Sequence, residues 1–178
     1  MEDIVYDIPT KSDAINRHTL AVLVDNEFGV LARVIGLFSG RGYNIESLTV
    51  AEVEHEQKLS RITVVTSGTE AVVEQIKRLL DRMVPVHKVH DLTVEGPHVE
   101  RELALVKLVS SEQQRVEALR IADIFRARVV DSTPTSFVFE LTGESAKLNE
   151  FIDMMRPLGL TEICRTGIAA MSRGKEGL

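Results

Sequence analysis

One stretch of the chain offers residue types that suit ligand chemistry: Asp25-Asn26-Glu27-Phe28-Gly29-Val30-Leu31, between an apolar β-branched run and an amphipathic repeat. Gly29 stands at the predicted entry of a helix, where the first amide N–H groups have no intrahelical partner and the helix dipole is positive. The N–H groups of Gly29, Val30 and Leu31 are therefore placed to hold a carboxylate, and a residue without Cβ at position 29 lets it come close. Asn26 carries an amide that both donates and accepts, suited to an ammonium or a carboxylate group. Further along, Asn44 and Ile45 add a second amide and an apolar wall. Together these residues suit a small amphoteric ligand with an aliphatic side chain. On the residues alone a plainer alternative stands beside it: Asn26 caps the helix and Gly29 turns the chain.

Catalytic arrangements are hard to build from the rest. His87 and His90 fall in a predicted strand, where positions three apart point to opposite faces, so a structural or exposed role is expected rather than metal ligation. His18, His55 and His98 sit at predicted element ends or loops, with no local partnership of carboxylate and nucleophile. Ser39, Ser47 and Ser60 lack a Gly-x-Ser-x-Gly elbow, and no glycine-rich phosphate cradle is present. Gly40-Arg41-Gly42 reads as a helix C-terminus. Cys164, the only cysteine, is expected to be a buried or half-buried structural thiol. It excludes an intrachain disulfide and a cysteine-only metal site.

Composition narrows the field further. The 178 residues carry 21 Lys+Arg against 27 Asp+Glu, a net charge of −6. An acidic balance disfavours nucleic acid, whose binding needs a concentrated positive field. The chain has 2 Tyr, 6 Phe and no Trp, and none of them lies in Leu59–Thr66, where an RNA-recognition module would present its base-stacking rings. No apolar run nears the roughly 20 residues of a membrane span, and the acidic start resembles neither a secretory signal nor a transit peptide. A cytoplasmic protein without a membrane partner is expected.

The elements that must position the candidate site follow from hydrophobic period. Thr19–Asp25 reads as a strand, and Leu31, Val34, Ile35 and Phe38 form a helical stripe ending near Gly40. Ile45–Val53 and Leu59–Thr66 read as strands joined by the acidic Glu54–Gln57. Thr69 caps a second helix with Val72, Ile76, Leu79 and Met83 on one side, ended by Pro85. Val86–Val94 closes the unit. The same order then repeats: a strand over Arg101–Val109, a helix from Glu112 with Val116, Leu119, Ala122 and Phe125, and strands over Arg128–Asp131 and Ser136–Leu141. A helix with Leu148, Phe151, Ile152 and Met155, and a closing strand over Leu160–Ala170, complete it. The fold class is α+β, two tandem ferredoxin-like βαββαβ domains. Gly96-Pro97 marks the boundary, giving an extension over residues 1–16 and domains over 17–95 and 96–178. The first 95 residues hold 10 Lys+Arg and 15 Asp+Glu, so the candidate ligand half is the acidic half.

Right-handed crossovers put both helices of such a unit on one face of its sheet. In the first strand Leu20, Val22 and Val24 face one way and Ala21 and Leu23 the other, so both faces are apolar. A domain of about 80 residues is marginal alone. A second copy of the chain covering the other face is the expected solution, hence a homodimer.

The run D-N-E-F-G-V-L-A-R-V-I-G-L-F-S-G-R-G-Y-N-I-E-S-L-T-V, from Asp25 to Val50, resembles the signature of the regulatory (small) subunits of acetohydroxyacid synthase, also called acetolactate synthase. The likeness continues through Leu59-Ser60-Arg61, His98–Lys107, Ile124–Asp131 and Met171-Ser172-Arg173-Gly174, covering about residues 17–174. It implies that the first domain is an ACT domain, a dimerising module that binds amino acids. It also implies a chain without a catalytic centre or cofactor of its own. The partner would be a catalytic subunit that uses thiamine diphosphate, Mg²⁺ and FAD in the first common step of valine, leucine and isoleucine synthesis. Docking would activate that subunit and valine would reverse the activation. By motif, Asn26, Gly29, Val30 and Leu31 of one chain would face Asn44 and Ile45 of its partner across the effector. Effector choice among valine, leucine and isoleucine turns on about one methylene, worth roughly 1–3 kcal/mol, which residue names do not carry. Phe28 departs from the family pattern, which has a smaller residue or proline there, and is expected to alter the stiffness or affinity of the loop. A stand-alone amino-acid-sensing ACT protein that regulates another enzyme, or a small enzyme on the same scaffold, would fail to confer valine-sensitive activation on a catalytic subunit.

Overall fold

The computed structural model describes residues 14–175 and 177–178; of the extension expected over 1–16, residues 1–13 lie outside the described part. The chain divides into one compact unit up to Glu95 and a second over Gly96–Gly177, with Ser47–Thr49 grouped with the second.

The first unit runs β1 (Asn16–Asp25), α1 (Val30–Ser39), β2 (Ser47–Glu54), β3 (Leu59–Gly68), α2 (Glu70–Asp81) and β4 (Val86–Asp91). Its sheet has the order β2-β3-β1-β4, with β1 central between antiparallel β3 and β4. Leu20 faces Val64 and Val22 faces Ile62 across the β1–β3 ladder, and all four are buried. Branched apolar side chains on a pleated, fully covered surface are what make this run a strand. Thr69 caps α2, its hydroxyl accepting from the Val72 amide at 3.4 Å. The buried stripe of α2 is Val73, Ile76 and Leu80, one residue round from the expected Val72, Ile76, Leu79 and Met83. Adjacent valines offer two stripes of equal hydrophobicity, and packing selects one of them. In α1 the buried residues are Val30, Val34 and Phe38, with Leu31 partly exposed.

Thr19, Ala21, Thr63 and Val65, on the opposite face from Leu20 and Val22, are buried as well. Both faces of β1 thus carry buried residues, in keeping with its apolar alternation. The exposed strand is β2: it lies at the sheet edge, and Val50 and Val53 stand open to solvent.

The second unit repeats the plan with β5 (His98–Val109), α3 (Glu112–Phe125), β6 (Arg128–Ser132), β7 (Ser136–Gly143), α4 (Ser145–Met155), a short 3₁₀ turn (Arg156–Leu158), β8 (Leu160–Arg165) and β9 (Ala169–Ser172). Its strand order is β6-β7-β5-β8. The expected single closing strand is two, because Gly167 adopts φ +82° and turns the chain. β8 pairs with Ala104–Leu108 and β9 with His98–Arg101 of the long β5. The core joins Phe137 and Phe139 to Phe151, with Phe139 and Phe151 edge to face at 6.2 Å. Against these rings α3 presents small residues, Ala118 and Ala122, with Ile121, while Val116 and Leu119 point outward. Of the expected stripe, Ala122 and Phe125 pack on the core, Phe125 with its ring 5.4 Å from Phe151, whereas Val116 and Leu119 do not, because close packing matches volume and Ala118 fits beside the sheet rings. Cys164 is exposed, not buried: it lies opposite Leu105 on β8, an edge strand exposed from Thr161 to Arg165.

Candidate functional site

The segment after β1 is held at its start by two backbone bonds. The Asp25 amide donates to the Pro85 carbonyl at 2.9 Å and the Asn26 amide to the Lys58 carbonyl at 2.6 Å. Asp25 Oδ1 lies 2.7 Å from His87 Nε2. The chain then turns, and Gly29 takes φ +83° as the N-cap of α1, with no side chain capping the helix. That left-handed conformation strains any residue with a Cβ. Arg33 N–H to the Gly29 carbonyl, at 3.0 Å, opens the helical ladder, and the Val30 amide reaches only the Glu27 carbonyl at 3.5 Å. Leu31 and Ala32 precede the first intrahelical bond, so their amides are left for something outside the helix. A Cβ built on Gly29 would meet nothing within 4 Å, so the space beside Gly29 itself is open.

The Glu27 carboxylate, two residues before Gly29, has a cationic partner. Arg33 Nη2 lies 2.6 Å from Glu27 Oε1 across the mouth of the helix. A separation of six residues is not a helical spacing, so nothing in the sequence announced this pair. Of the expected site residues, Val30 is buried, Leu31 partly exposed and Asn26 exposed. Phe28 has no cover at all.

Asn44 is exposed and Ile45 half-buried. The Asn44 carbonyl accepts from Thr66 Oγ1 at 2.6 Å, and the Glu46 amide donates to the Val65 carbonyl at 2.8 Å. Val65 and Thr66 pair with Thr19 and His18, near the start of β1, whereas Asn26 follows Asp25 at its end. Six to seven residues of strand separate these levels, roughly 20 Å at about 3.3 Å per residue. Within one chain, then, Asn26, Gly29, Val30 and Leu31 form one group and Asn44 with Ile45 another, at opposite ends of β1.

Histidine placement differs from expectation at one position. His87 is exposed and His90 half-buried, and they pair with Asp25 and Glu95 respectively. His18, expected at an element end, is inside β1 and buried against Asp91 at 2.7 Å. The 73 residues between the two left no local signal. Among the described residues no group of three or more His, Cys, Asp or Glu side chains stands together to hold a metal ion. No helix among them is long and apolar enough to cross a membrane.

Electrostatic clusters elsewhere tie elements together. Burial pushes the Glu102 carboxyl up, but hydrogen bonds from Arg165 and Ser145 outweigh it and hold the group below the usual carboxylate range. Arg165 contacts both Glu102 oxygens, at 2.8 and 2.5 Å, and the Asn149 side chain at 2.8 Å, joining β5, β8 and α4. Glu95 is likewise held low: burial opposes its charge, and the Asp91 amide, His90 and Lys77 overcome that.

Comparison with known proteins gives one answer across the chain. Residues 20–88 match the model of the acetohydroxyacid synthase small-subunit-like ACT domain, and residues 101–174 match that of the small subunit of acetolactate synthase. The acetolactate synthase small subunit of Aquifex aeolicus is 46% identical over 160 residues, covering 89% of this chain and 82% of that protein. The small subunit of acetolactate synthase isozyme 3 from Escherichia coli K12 is 46% identical over 159 residues, covering 89% of this chain and 96% of that protein. The crystal structure of the acetolactate synthase small subunit from Thermotoga maritima superposes with a TM-score of 0.82 at 35% identity, covering 90% of this chain and 99% of that one. With the βαββαβ plan repeated and the ACT model matched on its first copy, the chain belongs to the acetolactate synthase small-subunit family.

Proposed function

We propose that this chain is the regulatory subunit of a cytoplasmic acetolactate synthase of branched-chain amino-acid synthesis, without a catalytic centre of its own. It activates a catalytic subunit that carries thiamine diphosphate, Mg²⁺ and FAD, and it transmits feedback inhibition by valine. Residues 17–95 bind the effector and dimerise, and residues 96–178 form the companion domain.

The observation that carries the effector assignment is the pair of groups at opposite ends of β1. A single valine spans only a few ångströms, so one chain cannot close around it with both groups. A two-fold homodimer can. β1 is antiparallel to β3, and the four-residue hairpin between neighbouring β2 and β3 makes that pair antiparallel too, so β2 runs parallel to β1. Antiparallel pairing of two β2 edges would therefore bring the partner's Asn44 and Ile45 to the Asn26–Leu31 end. Valine's carboxylate then rests on the amides of Gly29 to Leu31, its ammonium on the Asn26 side-chain oxygen, and its isopropyl group against Ile45 and Val30. The Glu27–Arg33 pair removes the charge that would oppose the carboxylate.

Inhibition follows by linkage. Valine across the interface shifts the holoenzyme only if it binds more tightly to the arrangement that activates less, and a coupling of roughly 1–3 kcal/mol covers the usual range. The test is reconstitution: the purified chain is mixed with the catalytic subunit and acetolactate formation is measured with and without valine. Activation that valine reverses supports the assignment; no activation, or activation indifferent to valine, overturns it.

A further inference from the structure

A second recess lies at the other end of the first sheet from the Gly29 loop. It is a cavity of about 260 Å³, lined by Asn16, His18 and Asp91 from the strands and by Glu70, Val73 and Glu74 from α2. His18, 5% exposed, has its Nδ1 2.7 Å from Asp91 Oδ2, and its Nε2 is buried with no hydrogen-bond partner. Asp91 is itself fixed, its Oδ1 accepting from the Thr93 amide at 3.0 Å. In the neutral ring a carboxylate at Nδ1 holds the proton on that nitrogen, and Nε2 then presents a lone pair. A buried acceptor left unpaired is costly, and such groups in native proteins ordinarily have a partner.

The chemistry of the missing partner follows from the lining. Glu70, Glu74 and Asp91 exclude an anion, and Glu70 in the first turn of α2 offsets the positive end of that helix. The carboxylates and histidine are not grouped to hold a metal ion. What fits is a cation that donates directed N–H bonds and carries an aliphatic stem for Val73 and the neighbouring Val94. We propose that this cavity is a second ligand site, taking an alkylammonium group whose N–H bonds go to His18 Nε2 and the Glu70 carboxylate. It shares no residue with the valine site and stands independently of that assignment.

The test titrates the full-length chain with n-butylammonium chloride while the ring nitrogens of His18 are followed by nitrogen-15 NMR. Tetramethylammonium serves as a cation of equal charge without an N–H. A saturable shift of Nε2 with butylammonium only, weakened about tenfold by Glu70→Gln, is expected; Glu70 is exposed, so the variant should fold. No saturable shift, an equal response to tetramethylammonium, or undiminished binding by the variant overturns the proposal. Repeating the titration with the catalytic subunit present separates two sources of the same group. Competition identifies a lysine of that subunit as the natural occupant, and independence identifies a free small amine.

Discussion

The two units share one topology and differ where strand first gives way to helix. In the first, α1 begins on Gly29 in a left-handed conformation with no side-chain cap. In the second, α3 begins on Ser111, whose capping box with Gln114 serves the end of the helix: the Gln114 side chain accepts from the Ser111 amide at 2.9 Å. Gln114 also donates to the Pro157 carbonyl at 3.2 Å, and Ser110 Oγ bonds the Leu158 carbonyl. A Cβ added at the adjacent Gly159 would come within 2.1 Å of the Val109 carbonyl oxygen, against open space at Gly29. Equivalent turns are thus closed by the protein's own groups in one copy and left open in the other. Capping and ligand binding compete for the same amides, so an uncapped helix start is the one that leaves them available.

This contrast can be broken at several points. The largest effect is expected at Gly29→Asp, which adds a Cβ in a strained conformation and a negative charge where the valine carboxylate should rest. Valine affinity should fall by roughly 100-fold, about 2.7 kcal/mol, by calorimetry, while activation of the catalytic subunit survives; undiminished binding would refute the site. Next, Glu102→Gln in the second unit leaves Arg165 without its charge partner. It should cost about 2 kcal/mol of stability in denaturant titrations with little effect on valine affinity.

The same pair sets an acid limit. Glu102 is held below the ordinary range in the folded state, so it binds fewer protons folded than unfolded. Its contribution is complete above the unfolded value near ~4.3 and is lost as pH falls through the lowered folded value. Thermal melts should show stability falling below about pH 4.5, with a shallower fall in Glu102→Gln. The smallest effect is expected from Ser111→Ala, about 1 kcal/mol of stability from the lost cap, with valine response unchanged.

How far the sequence exposed these features depended on range. The element order and the Gly29 turn were legible, because hydrophobic period and a glycine at a strand–helix junction are local signals. The buried faces of α2 and α3 were not: Val72 and Val73 are equivalent in composition, and Ala118 faces the core only because Phe137 and Phe139 fill the sheet side. The Gly167 turn that divides the last strand hid among residues of good strand propensity. Pairings such as His18 with Asp91 and Glu102 with Arg165 join positions 73 and 63 residues apart and exist only once the sheet has formed. What covers the second face of β1 was not legible for the same reason, since alternation shows that both faces are apolar but not what lies against them.

The central claim is that valine is held by the helix amides of one chain and by Asn44 and Ile45 of another. Mixed dimers test it most directly. Gly29→Asp and Asn44→Ala chains, each deficient in valine binding as homodimers, are co-refolded and the mixed species is isolated by differential tags. A site shared between chains leaves one composite of intact Gly29 and intact Asn44, so calorimetry should recover one valine per mixed dimer at near-native affinity. A site confined to a single chain leaves every copy damaged, and a mixed dimer that binds no valine would contradict the account.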